Sequence, residues 1–214
     1  MSKSLLRVRR RPGSILVCLW VVIIACASPV VDASEQSAYA VCASCHGPRG
    51  EGNVVLNAPR IAGQASWYLR RQLDAYRQGW RGAAPGDIYG MQMRSMAMTL
   101  TQSAQVEDVV AHLQTFPDVP AEPTIQGDVA AGQAAYSICV ACHGSRGEGN
   151  ERFGGPRLAG QSDWYLVRQI RNYRLGLRGY DPEDLFGMQM KPMAATLADD
   201  QAIVDVVAYI NSLR

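Results

Sequence analysis

Apolar and polar positions alternate along this chain with the period of an α-helix, and almost nowhere with that of a strand. Val106, Val109, Val110 and Leu113 stand at i, i+3, i+4 and i+7, one apolar stripe that predicts a helix from Ser103 to Gln114, with a counterpart from Asp199 to Leu213. Trp67, Arg71 and Tyr76 on spaced turns predict a second from Trp67 to Gly79, and Trp164 to Gly176 repeats it; Gly79 is the stop signal. Asp128 before an Ala-rich run is an N-cap, predicting a helix that runs into Cys139, and the equivalent helix starts near Ser34. Pro192 is expected in the first turn of a last helical segment, which leaves Met190 in the loop before it and Met193 inside the helix. The fold class is therefore all-α, with three or four short helices per unit wrapped by Gly-rich and Pro-containing loops. A unit of roughly 80 to 95 residues built this way has a small core, so something besides side chains should fill it.

The helices recur because the chain repeats. A shift of 97 residues aligns Cys42 with Cys139, His46 with His143, Trp67 with Trp164 and Leu100 with Leu197, and 38 of 74 positions are identical without a gap. A period this long denotes two tandem domains and not a solenoid. Three prolines between Phe116 and Pro123 interrupt any helical pattern and mark a short, stiff linker. The expected organisation is residues 34–116 as the first domain, 117–127 as linker and 128–214 as the second domain.

Residues 1–33 differ in kind. Lys3, Arg7, Arg9, Arg10 and Arg11 precede an apolar run from Ile15 to Ala27 and the small-residue site Val31-Asp32-Ala33, the pattern of an export signal cut before Ser34. Two rivals are lipidation at Cys26, after a loose lipobox Ile23-Ile24-Ala25, and retention of the segment as a membrane anchor, although the run is shorter than a span needs. All three readings export the domains. Of the 21 basic and 19 acidic groups, 16 and 18 remain beyond residue 33, which argues against a nucleic-acid binder.

The chemistry lies in Cys42-Ala43-Ser44-Cys45-His46 and Cys139-Val140-Ala141-Cys142-His143, both CxxCH, the attachment signature of a c-type haem. On one helical turn Cys42 and Cys45, or Cys139 and Cys142, reach the two vinyl groups of a porphyrin, and His46 or His143 then lies beneath the iron. A zinc site would need further Cys or His ligands, and a thioredoxin-like pair leaves both histidines unexplained. Cys18 and Cys26 fall in the export segment, so no disulfide framework is expected. For the sixth iron position His112 has only Tyr209 as its counterpart and reads as a surface residue. Methionine remains, in two clusters. Met93 and Met190 lead, with Met96 and Met193 and then Met91 and Met188 as alternatives; Met98 aligns with Ala195 and is not shared. A thioether ligand raises the potential of a haem relative to bis-His ligation.

CxxCHG followed by GEGN, then PRxAGQ, WYLxRQ, a paired Met segment and a final helix, all twice over, resembles the dihaem cytochromes of the cytochrome c4 type, built from two class I cytochrome c domains. The resemblance covers residues 34–214. It implies two covalently attached haem c groups, iron-binding methionines seven residues before Leu100 and Leu197, which are Met93 and Met190, and carbonyls of Pro59 and Pro156 facing the second nitrogen of each haem histidine. Arg60, Arg157, Gln64, Gln161, Trp67, Trp164, Tyr68 and Tyr165 recur in both copies and are candidates for the haem propionates, with helix packing the alternative for the tyrosines. The Arg49–Asn53 stretch and its twin from Arg146 read as tight glycine turns. The expected function is a periplasmic one-electron carrier between respiratory donors, such as a quinol-oxidising complex, and acceptors such as a terminal oxidase. A haem subunit of a larger oxidoreductase is the alternative, and a dihaem peroxidase or sulfur-compound dehydrogenase a more distant one.

Overall fold

The computed structural model describes residues 33–213, so residues 1–32, with Cys18, Cys26 and all but the last residue of the expected export signal, lie outside the described residues. In the first repeat α1 (Ala33–His46), α2 (Ser66–Gln78), α3 (Ile88–Ala97) and α4 (Ser103–Gln114) follow one another. The second repeat has α5 (Val129–Tyr136), the short α6 (Val140–His143), α7 (Asp163–Arg174), α8 (Leu185–Ala195) and α9 (Asp200–Ser212). Together α5 and α6 correspond to α1, divided at the turn before Cys139. Among the described residues β-structure is confined to two isolated bridges, Asn53 with Ala58 and Asn150 with Gly155. This is an all-α protein of two tandem domains.

In each repeat the first helix packs across the last, α1 on α4 and α5 on α9. Gly132 permits the second crossing, since a Cβ there would lie 2.0 Å from the Asp205 carbonyl oxygen. Val106, Val109, Val110 and Leu113 of α4 are buried with Tyr39, Leu69, Leu73 and Tyr76. The same stripe on α9, Ile203, Val206, Val207 and Ile210, is buried with Tyr136, Leu166 and Val167. Full burial of each such side chain is worth about 1.5–3 kcal/mol, which is what selects the inward face of α4 and α9.

Three local features depart from the sequence-based expectations. The methionine segments are helices, not loops, because Asp87 and Asp184 cap them by accepting from the Gly90 and Gly187 N–H groups, each at 3.0 Å. Pro192 consequently lies inside α8, where it has no N–H for the Met188 carbonyl; Ser95, its counterpart in α3, instead donates its hydroxyl to Met91 O at 3.1 Å. His112 is buried, packed against Tyr39 and Phe116 with ring centroids 5.3 and 4.8 Å away, as Tyr209 packs on Tyr136 in the second repeat.

The segment between the repeats is pinned rather than free. Ala121 N–H donates to Gly160 O at 2.9 Å, and the N–H and hydroxyl of Thr124 and the N–H of Ile125 all bind the Asp163 carboxylate at the start of α7.

Candidate functional site

The end of α1 delivers Cys42, Cys45 and His46 to one cavity, and the α5–α6 turn with α6 delivers Cys139, Cys142 and His143 to the same one. The cavity has a volume of about 600 Å³ and runs across both repeats. All four thiols are free. Burial raises the Cys42 thiol and pushes Cys139 up to about 11, so both are neutral thiols at neutral pH.

Each histidine is held by a carbonyl from the loop that follows it. His46 Nδ1 lies 2.7 Å from Pro59 O, and His143 Nδ1 lies 2.8 Å from Pro156 O. Burial drives both imidazoles below their ordinary pKa, the carbonyl bond opposing it, so each ring is neutral with its proton on Nδ1 and a free Nε2 lone pair. The loop reaches that position through a tight reversal. Gly52 N–H donates to His46 O at 2.8 Å with φ of 89°, and a Cβ there would stand 2.6 Å from Arg60 N; Gly149 repeats this against Arg157 N. Tyr39 and Tyr136 anchor the same loops, their hydroxyls donating to Gly47 O and Gly144 O at 2.6 and 2.8 Å. Neither tyrosine was singled out by motif, although both recur at the 97-residue shift.

Met93 and Met190 are half-buried and line the cavity. Met96 and Met193 also line it but are 38% and 43% exposed, while Met91 and Met188 are exposed and absent from its wall. The charged part of the wall is made largely of arginine. Arg60, Arg71, Arg81, Arg157, Arg168 and Arg178 line the cavity against two carboxylates, Asp87 and Asp184, which cap α3 and α8.

Arg60 and Arg157 line the cavity and are also held from outside it. Both guanidinium groups bind the Asp118 carboxylate of the linker, Arg60 also donating to Gly160 O at 3.2 Å and Arg157 to Gly63 O at 3.3 Å. Gln64 and Gln161 cross-brace the same place, donating to Arg157 O and Arg60 O at 3.0 and 2.9 Å. These side chains join the repeats, with the Asp118 carboxylate between Arg60 and Arg157. Trp67 and Trp164 stack on arginine, with Arg71 and Arg168 each 4.9 Å from the indole.

The residues present fit haem c on their own chemistry. Each repeat presents two thiols three residues apart, a neutral imidazole with Nε2 free and a thioether on one cavity, and buried guanidinium nitrogens there, Nε of Arg71, Arg168 and Arg178, have no protein partner.

The chain matches the family described as Cytochrome c twice, over residues 32–117 and 129–214. It is 31% identical over 195 residues to cytochrome c4 of Azotobacter vinelandii, covering 85% of this chain and 89% of that protein. It is 33% identical over 184 residues to the thiosulfate dehydrogenase electron acceptor of Stutzerimonas stutzeri, covering 79% of each. Its fold is similar to the crystal structure of reduced recombinant cytochrome c4 from Pseudomonas stutzeri, with a TM-score of 0.64 at 28% identity, covering 85% of this chain and 97% of the other.

Proposed function

Since the chain belongs to the cytochrome c family, as a tandem dihaem member of the cytochrome c4 type with two covalently bound haem c groups, we propose that it shuttles single electrons between respiratory enzymes in the periplasm. The haems supply the ferric/ferrous couple. The chain's residues hold and tune it: Cys42, Cys45, Cys139 and Cys142 fix the macrocycles, and Pro59 and Pro156 orient His46 and His143. Met93 and Met190 close the sixth positions in this proposal, which leaves the irons no open site for peroxide or oxygen. Their half-buried placement on the cavity supports them over the more exposed Met96 and Met193.

The observation that carries the reading is that one donor set occurs twice on one cavity. Two equivalent closed haems suit electron transfer better than a division into an electron-entry haem and a catalytic one. A second reading, as the electron acceptor of a larger oxidoreductase acting on sulfur compounds, is favoured by the thiosulfate dehydrogenase electron acceptor among the relatives. Both readings use the same chemistry, and co-purification with such an enzyme separates them.

The test is the absorption spectrum of the purified holoprotein, ferric and ferrous, with and without carbon monoxide. The weak near-infrared band of thioether-ligated ferric haem is expected at the strength of two haems, with no carbon monoxide adduct. Met93→Leu and Met190→Leu should each halve that band, whereas Met96→Leu and Met193→Leu leave it. A half-strength band in the unaltered protein, or a carbon monoxide adduct, overturns the carrier reading.

A further inference from the structure

Arg71 on α2 and Arg168 on α7 occupy matching places in the two repeats, and each reaches across to the other repeat. Arg71 Nη2 donates to Gly154 O of the second repeat at 2.7 Å, and its guanidinium carbon lies 4.4 Å from the centre of the Phe186 ring on α8. Arg168 donates to Asn57 of the first repeat, through Nη1 to Oδ1 at 2.8 Å and through Nη2 to the carbonyl at 3.1 Å, and lies 4.3 Å from the centre of the Tyr89 ring on α3. Trp67 and Trp164, four residues earlier on the same helices, stack on these guanidinium groups from within their own repeats. A flat guanidinium that stacks on aromatic rings while donating to a fixed carbonyl keeps little freedom, and a lysine ammonium cannot reproduce the arrangement.

The receiving loops are shaped for these contacts. A Cβ on Gly154 would stand 2.2 Å from Cδ1 of Phe186, so loop and ring meet this closely only over glycine. Its counterpart Asn57 is the one non-glycine residue with positive φ, 55°, among the described residues. Asparagine tolerates the left-handed conformation better than most side chains do, and here it puts its Oδ1 on Arg168. The two rings stand one turn ahead of the methionines: Phe186 precedes Met190 by four residues on α8, and Tyr89 precedes Met93 by four on α3. Residues i and i+4 share a helix face, and all four line the cavity. Asp87 and Asp184 hold the start of each helix. A ring held from the side holds its rotation, and with it the direction of the thioether one turn on.

We infer that Arg71 and Arg168 are positioning residues exchanged between the repeats: Arg71 sets the helix that carries Met190, and Arg168 sets the helix that carries Met93. The thioether of each iron is thus aimed by a residue of the opposite repeat, and a disturbance of α2 or α7 in one repeat is felt at the sixth iron position of the other. This inference rests on the Met93 and Met190 ligation proposed above.

The test is proton NMR of the reduced holoprotein, after a pyridine haemochrome assay has counted haem per chain. A thioether methyl bound to low-spin ferrous haem lies over the porphyrin, whose ring current moves its signal far upfield, one signal per haem; Met93→Leu and Met190→Leu assign the two by deleting one each. Arg71→Lys keeps the charge but loses the flat stack, and should shift the Met190 signal while the Met93 signal stays in place. Arg168→Lys should do the converse. If the lysine variants do not take up haem, Asn57→Gly carries the test: it removes only the Oδ1 acceptor of Arg168 and relieves the left-handed backbone, and it should shift the Met93 signal alone. A merely structural bolt would lower the melting temperature with both signals in place. That result, a shift confined to the repeat that holds the altered arginine, or equal shifts of both signals overturns the exchange. Fewer than two haems per chain, or fewer than two such signals in the unaltered protein, overturns the ligation reading and this inference with it.

Discussion

Asp163 shows how much a single position differs between the two copies. Its carboxylate, in a residue 1% exposed, accepts from Thr124, Ile125, Trp164 and Asn211, whereas the first repeat has Ser66 at the matching place. Burial pushes its pKa up, but the Thr124 hydroxyl and the backbone N–H groups pull it down further, so it lies below its ordinary value of 3.8. A carboxylate with a depressed folded-state pKa contributes stability that is complete above the ordinary value and is lost as pH falls through the depressed one. Asp163→Ala should cost about 2–4 kcal/mol, through donors left unsatisfied, read by thermal or denaturant unfolding at neutral pH. Asp163→Asn should flatten the loss of stability below pH 3.8 relative to the unaltered protein. At this scale the cysteines and histidines were legible, because CxxCH is a short-range pattern whose chemistry is set by covalent spacing. His112 was not, since its burial depends on Tyr39 and Phe116 closing over it from outside its own helical face.

At the scale of elements, the amphipathic stripes of α4 and α9 could be read directly, and α4 spans the residues its periodicity indicates. The methionine helices could not be read that way. Their start signal is Asp87 or Asp184 with a glycine three residues on, a weak cap pattern, and Pro192 offered a stronger but misleading one. Its position inside α8 removes one helix hydrogen bond from the segment that carries Met190. Pro192→Ala should therefore stabilise the second repeat by about 1–2 kcal/mol, the restored bond and relieved clash outweighing the added freedom of the unfolded chain. Chemical denaturation of the holoprotein measures it, and no gain in stability would show that α8 is already relaxed around the proline. The Met190-dependent near-infrared band should persist in this variant, because the thioether keeps its place on the cavity.

At the scale of the whole molecule, contacts between residues far apart in sequence join the two repeats among the described residues. Asp118 is the central example: its carboxylate binds Arg60 and Arg157, and these hydrogen bonds outweigh burial in lowering its pKa below 3.8. Asp118→Asn should lower stability by about 1 kcal/mol at neutral pH, part of the charge being screened by solvent. Its difference from the unaltered protein should vanish in acid, as pH falls through the depressed pKa, and unfolding curves across pH measure this. Docking to partners should depend only weakly on salt, since Lys191 is the single lysine beyond residue 33 and no lysine-rich face exists to steer approach. Stopped-flow electron-transfer rates at rising ionic strength test that; a steep fall would reveal a charged docking face. By itself the sequence determined the covalent haem ligands, the duplication and the helices that pack on one another, because each is encoded within a few turns of chain or in plain self-similarity. Only the tertiary structure decided which methionines reach the cavity, that Asp118 of the linker binds both Arg60 and Arg157, and that Arg81 and Arg178, one from each repeat, share Gln72 and Gln169 as acceptors. Those outcomes depend on which charges are brought together from distant positions, and burial, not local pattern, sets where an arginine finds its anion.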